Sequence, residues 1–223
     1  MRFLSVLVLS TLFLSGCSNN TQHFTDTFKL AVFGKEQTKI DHAKVVASPY
    51  ASLYVKQGEN PAALMVLAWA EEGHTKGHPA LKWLSSSKEM LMTESGRITK
   101  TLKLPNENLV SVHSNKPDPL SLGLHLDSTP RFWRYQISWQ PGYHFAYQAE
   151  SRFILKGKVI KQLPSGLKET LHVIEKVSVP KLSLSYNNDY WIAPKTGEVI
   201  ASSQIPAPGM QRFELTIGKS FGG

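Results

Sequence analysis

Between Arg131 and Leu155 the chain reads RFWRYQISWQPGYHFAYQAESRFIL. Trp133, Tyr135, Ile137 and Trp139 alternate with Phe132, Arg134, Gln136 and Ser138, and Tyr143, Phe145, Tyr147, Ala149, Phe153 and Leu155 carry on the same two-residue period. Side chains on a strand point alternately to opposite faces, so this pattern predicts two strands with one face in a core. Gln140-Pro141-Gly142 is the turn between them. A Pro-Gly turn with a two-residue loop sets Trp139 opposite His144, whereas the apolar phase sets it opposite Tyr143. Following the apolar phase predicts an odd loop or a nearby bulge.

Further strands follow from the same reasoning. MLMTESGRITKTLKL is expected to form a hairpin bent at Glu94-Ser95-Gly96, and DYWIAPKTGEVIASSQ one bent at Lys195-Thr196-Gly197. KETLHVIEKVSV and QRFELTIGK add two more candidates. ENPAALMVLAWAEEG is ambiguous: Asn60 as cap, Pro61 at the first turn and Gly73 at the end favour a helix, but the nearly continuous apolar run also suits a buried strand. Its β neighbours favour a central strand. The pattern predicts an all-β, mainly antiparallel fold, a sandwich or a partly open barrel with few short helices, in a single domain spanning residues 41–223.

The N-terminus has a different character. Met1 and Arg2 precede an apolar run from Phe3 to Leu14, followed by Ser15, Gly16 and Cys17, the only cysteine of 223 residues. A basic start, an apolar stretch and small residues spell a secretory signal peptide, too short to span a bilayer. Leu14-Ser15-Gly16-Cys17 fits the bacterial lipobox, in which the cysteine sulfur carries a diacylglycerol. We therefore expect residues 1–16 to be a signal peptide, Cys17 to be the lipid attachment site, and residues 17–40 to be a lipidated tether. Ser18, where Asp would direct sorting to the inner membrane, points to the periplasmic face of the outer membrane. Several acyl chains on one residue give effectively permanent anchoring.

Loss of residues 1–16 removes Arg2 and no acid, so the formal charge falls from +8 to +7. The basic residues are dispersed, with local density at Arg131 and Arg134 and at Lys156, Lys158 and Lys161. Such a balance suits solvated strand surfaces or attraction to an acidic polymer or lipid head groups. A protein held outside the cytoplasm does not meet nucleic acid.

Candidate chemistry is sparse. His74 and His78 have a spacing that faces one metal only on a helix, and Gly73, Gly77 and Pro79 around them oppose one. His113, His125, His144 and His172 lack an acid at a ligand spacing. LPSGL lacks the first glycine of a nucleophile elbow, and adjacent Glu71 and Glu72 point to opposite faces of a strand. We expect no catalytic, metal or cofactor-binding residues. The Trp133, Tyr135, Trp139 stripe is read as core, a sugar-stacking platform being the alternative.

PYASLYV (49–55), LAWAEEG (67–73), the block from Trp83 through TESGRITKTLKLPNENL, and YWIAPKTGEVIASSQ together resemble the YjbF/GfcB family of bacterial lipoproteins. The resemblance covers most of the chain after Cys17, and HTKGHPAL (74–81) departs from it as an insertion. It implies a β-rich fold with a strand over Ala62 to Trp69 and a non-enzymatic outer-membrane lipoprotein assisting assembly or export of a surface polysaccharide, capsule or exopolysaccharide. Partners implied are the membrane, an acidic polysaccharide and secretion-system proteins. The competing readings are an anchored glycan-modifying enzyme and a structural envelope protein that binds other proteins.

Overall fold

The computed structural model describes residues 40–222. The expected signal peptide, the lipobox residues Leu14, Ser15 and Gly16, the expected anchor Cys17 and the expected sorting residue Ser18 lie outside the described residues. One short helix, α1 (His42–Ala47), is capped by the Asp41 carboxylate. Twelve strands follow: β1 (Ser52–Gln57), β2 (Ala63–Glu71), β3 (Ala80–Leu84), β4 (Met90–Glu94), β5 (Arg97–Leu102), β6 (Asn108–His113), β7 (Phe132–Gln140), β8 (His144–Leu163), β9 (Gly166–Val179), β10 (Leu184–Ile192), β11 (Val199–Gln204) and β12 (Phe213–Lys219).

All twelve form one antiparallel sheet in the order β5-β4-β3-β2-β1-β12-β11-β10-β9-β8-β7-β6. The first and last strands pair with each other, so the sheet curls into a nearly closed barrel and leaves its seam between β5 and β6. Side chains stitch that seam. The Leu109 N–H donates to Thr101 Oγ1 at 2.8 Å, and the Asn108 amide bonds both N–H and C=O of Leu104 at 3.2 Å. The fold is all-β as the alternation predicts, and the seam is the opening of a partly open barrel.

Trp133, Tyr135, Ile137 and Trp139 are buried, so the aromatic stripe is core. Leu53, Leu91, Phe153, Val177, Tyr190 and Phe213 meet it inside the barrel. The turn after β7 corrects one expectation. Trp139 pairs with His144, the register favoured by the two-residue Pro-Gly loop, and stacks on its ring at 4.3 Å. The expected bulge is present between Ile137 and Trp139, opposite one extra residue of β8. There Ala146 takes φ +50° and donates its N–H to Ser138 Oγ. The extra residue absorbs the conflict: Ile137–Tyr147 and Tyr135–Ala149 recover the apolar phase, while Tyr143 and Phe145 fall outside it, into solvent.

β2 is a strand, as its neighbours suggest, but not one buried on both faces. Only Leu64 and Met65 are buried, because β1 begins at Ser52 and the residues after Leu67 run past it. The β4–β5 hairpin turns on Ser95 (φ +47°) and Gly96 (φ +85°), a two-residue loop with both residues left-handed, which suits the strand twist. A methyl on Gly96 would lie 2.4 Å from Val199 Cβ. Gly96→Ala is therefore expected to lower stability by about 1–3 kcal/mol. Gly157→Ala, at φ +103° with no atom within 4 Å of the added methyl, is expected to lower it less. Thermal unfolding of the two variants checks this; equal losses would mean that the Val199 contact contributes nothing.

Candidate functional site

The barrel mouth lies where β2 ends, β5 begins and β10 ends. Three segments converge on it: the β2–β3 loop, the β10–β11 turn, and the long connection from Ser114 to Arg131 that crosses from β6 to β7. Gly197 permits the last two to touch, since a side chain there would sit 2.3 Å from His125 Nδ1. Arg131 holds the covering loop to the wall by donating to the carbonyls of Leu124 and Leu126.

Under this cover lie two adjoining cavities that share His78, Ser95 and Ser121 as walls. The larger, about 630 Å³, is lined by Leu53, Trp83, Leu120, Val199, Leu215 and Ile217 among others. The smaller, about 270 Å³, reaches Arg97, Thr99, Asp118 and Trp133. Thr99 Oγ1 is buried there without a hydrogen-bond partner.

Beside the smaller cavity sits the densest polar cluster of the described residues. Glu175, on the inward phase of β9 between Val173 and Val177, is fully buried. Its carboxylate accepts Arg97 Nη1–H at 3.1 Å and is ion-paired with Arg97 Nη2 at 2.9 Å. It also accepts Ser151 Oγ at 2.5 Å, Asn188 Nδ2 at 2.9 Å and the Tyr190 hydroxyl at 3.0 Å. The same guanidinium bonds both oxygens of Asp118 on the covering loop. Its Cζ lies 4.8 Å from the Trp133 ring and 5.7 Å from Tyr135. Gln204 completes the arrangement: it donates to Gly96 O and accepts from Ile98 N–H, so one amide pairs with the β5 backbone as a neighbouring strand would.

The charges follow from these contacts. Burial alone would raise the Glu175 pKa, but Arg97 and the surrounding donors outweigh it and hold Glu175 below the ordinary carboxylate range. Asp118 goes the other way, raised by burial against the pull of Arg97. Burial opposes the charge on Arg97, yet the two carboxylates keep its pKa well above the usual value. Every strong acceptor direction of Glu175 is taken by the protein, an arrangement suited to fixing geometry rather than to passing protons.

The histidines are distributed by other contacts. His74 Nδ1 lies 2.7 Å from Glu94, His78 Nδ1 lies 3.1 Å from Ser95 Oγ, and His172 Nε2 lies 2.7 Å from Asp189. His74 and His78 thus face different partners, on a loop that is not helical, as its glycines predict. Among the described residues no three of His, Cys, Asp and Glu converge as a metal site. Sequence reasoning missed Arg97, Asp118 and Glu175. The one available signal was an acid on the inward phase of an otherwise apolar strand.

These features define a class: an antiparallel up-and-down barrel with a saturated charge cluster inside and a covered cavity at one mouth. The chain belongs to the YjbF family, described as group 4 capsule polysaccharide lipoprotein GfcB, YjbF, whose family model matches residues 25–217. It is 30% identical to the lipoprotein GfcB of Escherichia coli K12 over 217 residues, covering 96% of this chain and 97% of that one. It is 27% identical to the lipoprotein YjbF of the same strain over 198 residues, 89% of each. The crystal structure of the lipoprotein YmcC from Escherichia coli K12 superposes with a TM-score of 0.74 at 27% identity, covering 88% of this chain and 96% of that one.

Removing one partner of a buried ion pair strands the other, at about 3–5 kcal/mol. Glu175→Gln is expected to lose that much stability at neutral pH in denaturant unfolding. The folded Glu175 pKa lies below its unfolded value near 4.5, so its contribution is full above that value and is lost as pH falls through the folded pKa. Asp118, with a raised folded pKa, contributes with the opposite sign. Glu175→Gln should therefore lack part of the acid-side decline seen below about pH 4.5 in the unmodified chain. Parallel stability–pH curves for the two proteins would contradict the assignment.

Proposed function

We propose that the chain is a lipoprotein anchored through Cys17 to the periplasmic face of the outer membrane, where it serves as a non-enzymatic accessory factor in assembly or export of a surface polysaccharide. Membership of a family described by group 4 capsule polysaccharide is the observation that carries this reading. The lipobox Leu14-Ser15-Gly16-Cys17 with Ser18 supports the address. The saturation of Glu175 supports the non-enzymatic part, because a carboxylate with four hydrogen-bond donors, a second ion-pair contact to Arg97 and no exposure is poorly placed to protonate or attack a glycosidic bond.

Deleting the gene should reduce surface polysaccharide several-fold, read by immunoblot of chain length and amount. Restoring Cys17→Ala should recover little, with the protein found in soluble periplasm rather than in outer-membrane fractions. Unchanged amount, length and export in the deletion strain would sink the proposal. Turnover of purified polysaccharide by the purified protein would replace the non-enzymatic reading with an enzymatic one.

A further inference from the structure

The two longest strands outrun the barrel. β7 pairs with β8 only as far as Arg152, and β10 pairs with β9 only as far as Leu171. Beyond those points β8 and β9 continue as a two-stranded ribbon, from Val159–Thr170 to Leu163–Gly166, closed by Pro164 and Ser165. Its five residue pairs project about 17 Å from the wall. One face of the ribbon is packed, with Leu163 and Thr170 buried, so folding accounts for that face and leaves the other, exposed one to be explained.

The composition of the ribbon and its base is specific. Lys156, Lys158, Lys161 and Lys168 face a single acid, Glu169. Lys161 sits 3.4 Å above the Trp191 ring, which turns its face of the ribbon toward β10, while Lys158 pairs with Glu169 at 3.0 Å on the other face. That other face, set by the pairs Ile160–Glu169 and Gln162–Leu167, presents Ile160 at 64% and Leu167 at 70% exposure. Lys156, at the bulge where the ribbon leaves the barrel, and Lys168 are exposed at its margins. Two aliphatic side chains near a tip, ringed by lysines, match the boundary between acyl chains and anionic head groups. The ribbon carries no aromatic ring from Lys156 to Thr170, the side chain on which sugars stack.

Its position agrees. The ribbon leaves the barrel at the mouth end, where Ser52 pairs with Lys219 and the chain enters β1. Cys17 precedes Ile40 by 23 residues, which span no more than about 80 Å. A bilayer holding Cys17 therefore lies within reach of the ribbon.

We propose that the β8–β9 ribbon is a second membrane contact, docking on an anionic phospholipid surface through its lysines with Ile160 and Leu167 at the acyl boundary. The placement rests on the reading of Cys17 as the anchor, but the contact is measurable without it. The test uses the mature chain with Cys17→Ser, which cannot be acylated, and co-sedimentation with vesicles. Binding is expected to vesicles of phosphatidylglycerol with phosphatidylethanolamine, to fall with salt, and to be absent for phosphatidylcholine alone. Each lysine near such a surface contributes about 1 kcal/mol, so Lys156→Gln, Lys158→Gln and Lys168→Gln together should weaken binding roughly a hundredfold. Ile160→Asp with Leu167→Asp should weaken it as well, and circular dichroism should show both variants folded, since none of these residues is buried.

Equal binding to both vesicle types, or binding unchanged in both variants, overturns the proposal. So does displacement by soluble polygalacturonate together with indifference to the Ile160 and Leu167 changes, which would make the ribbon a polyanion site. Acylation of Cys17, measured separately by metabolic labelling in cells, decides the anchor reading; its failure leaves the vesicle result standing.

Discussion

The ion pair between Arg97 and Glu175 is the constraint around which the barrel is arranged. Its partners come from β5, β8, β9 and β10, and through Asp118 from the loop that covers the mouth. A buried pair of this kind adds little net stability compared with well-packed apolar groups, because both ions lose water. It does add discrimination. Asn188 and Tyr190 reach Glu175 only if β10 keeps its register, and a slip of one residue would turn both outward and leave a bare carboxylate in the core. In a sheet made of twelve similar hairpin-linked strands, that penalty selects one alignment among many near-equivalent ones.

Period-two alternation made most of the strands legible, including the stripe from Trp133 to Trp139 and the bends at Ser95-Gly96 and Gly197. β2 was harder, because Asn60, Pro61 and the alanines carry helix signals that sheet pairing overrides, with β1 at Leu64 and Met65 and with both β1 and β3 at Val66. The turn at Pro141 shows local and non-local preferences meeting: the turn fixes Trp139 against His144, the core fixes Ile137 against Tyr147, and Ala146 takes up the difference. The charge cluster was not legible. Arg97 and Glu175 lie 78 positions apart, and only closure of the sheet brings them together. The reading of Cys17 as the anchor rests on sequence alone, as Cys17 lies outside the described residues.

The stripe that admits a sugar-stacking reading in the sequence has an internal task instead. Trp133 and Tyr135 stack at 4.2 Å and offer their faces to Arg97, so the aromatic wall shields the guanidinium that ties the core to the covering loop. Asp118 belongs to that loop and also accepts from Leu120 N–H, which shapes its turn. The state of the mouth and the state of the core are therefore linked through one side chain. The two cavities inherit their walls from that linkage, since His78, Ser95 and Ser121 border both.

The pairing of β1 with β12 has a consequence for how the molecule is made. A chain made N-terminus first presents β1 long before β12, and the contact between them spans nearly the whole of the described chain. Local hairpins such as β4–β5 and β8–β9 can zip early, but the barrel cannot close until the final strand is free to fold. Through that interval the edge of β1 and the inward faces of the early strands are open to wrong partners. The seam between β5 and β6 joins neighbours in sequence, so like the hairpins it needs no waiting. The molecule is complete only when its last strand meets its first.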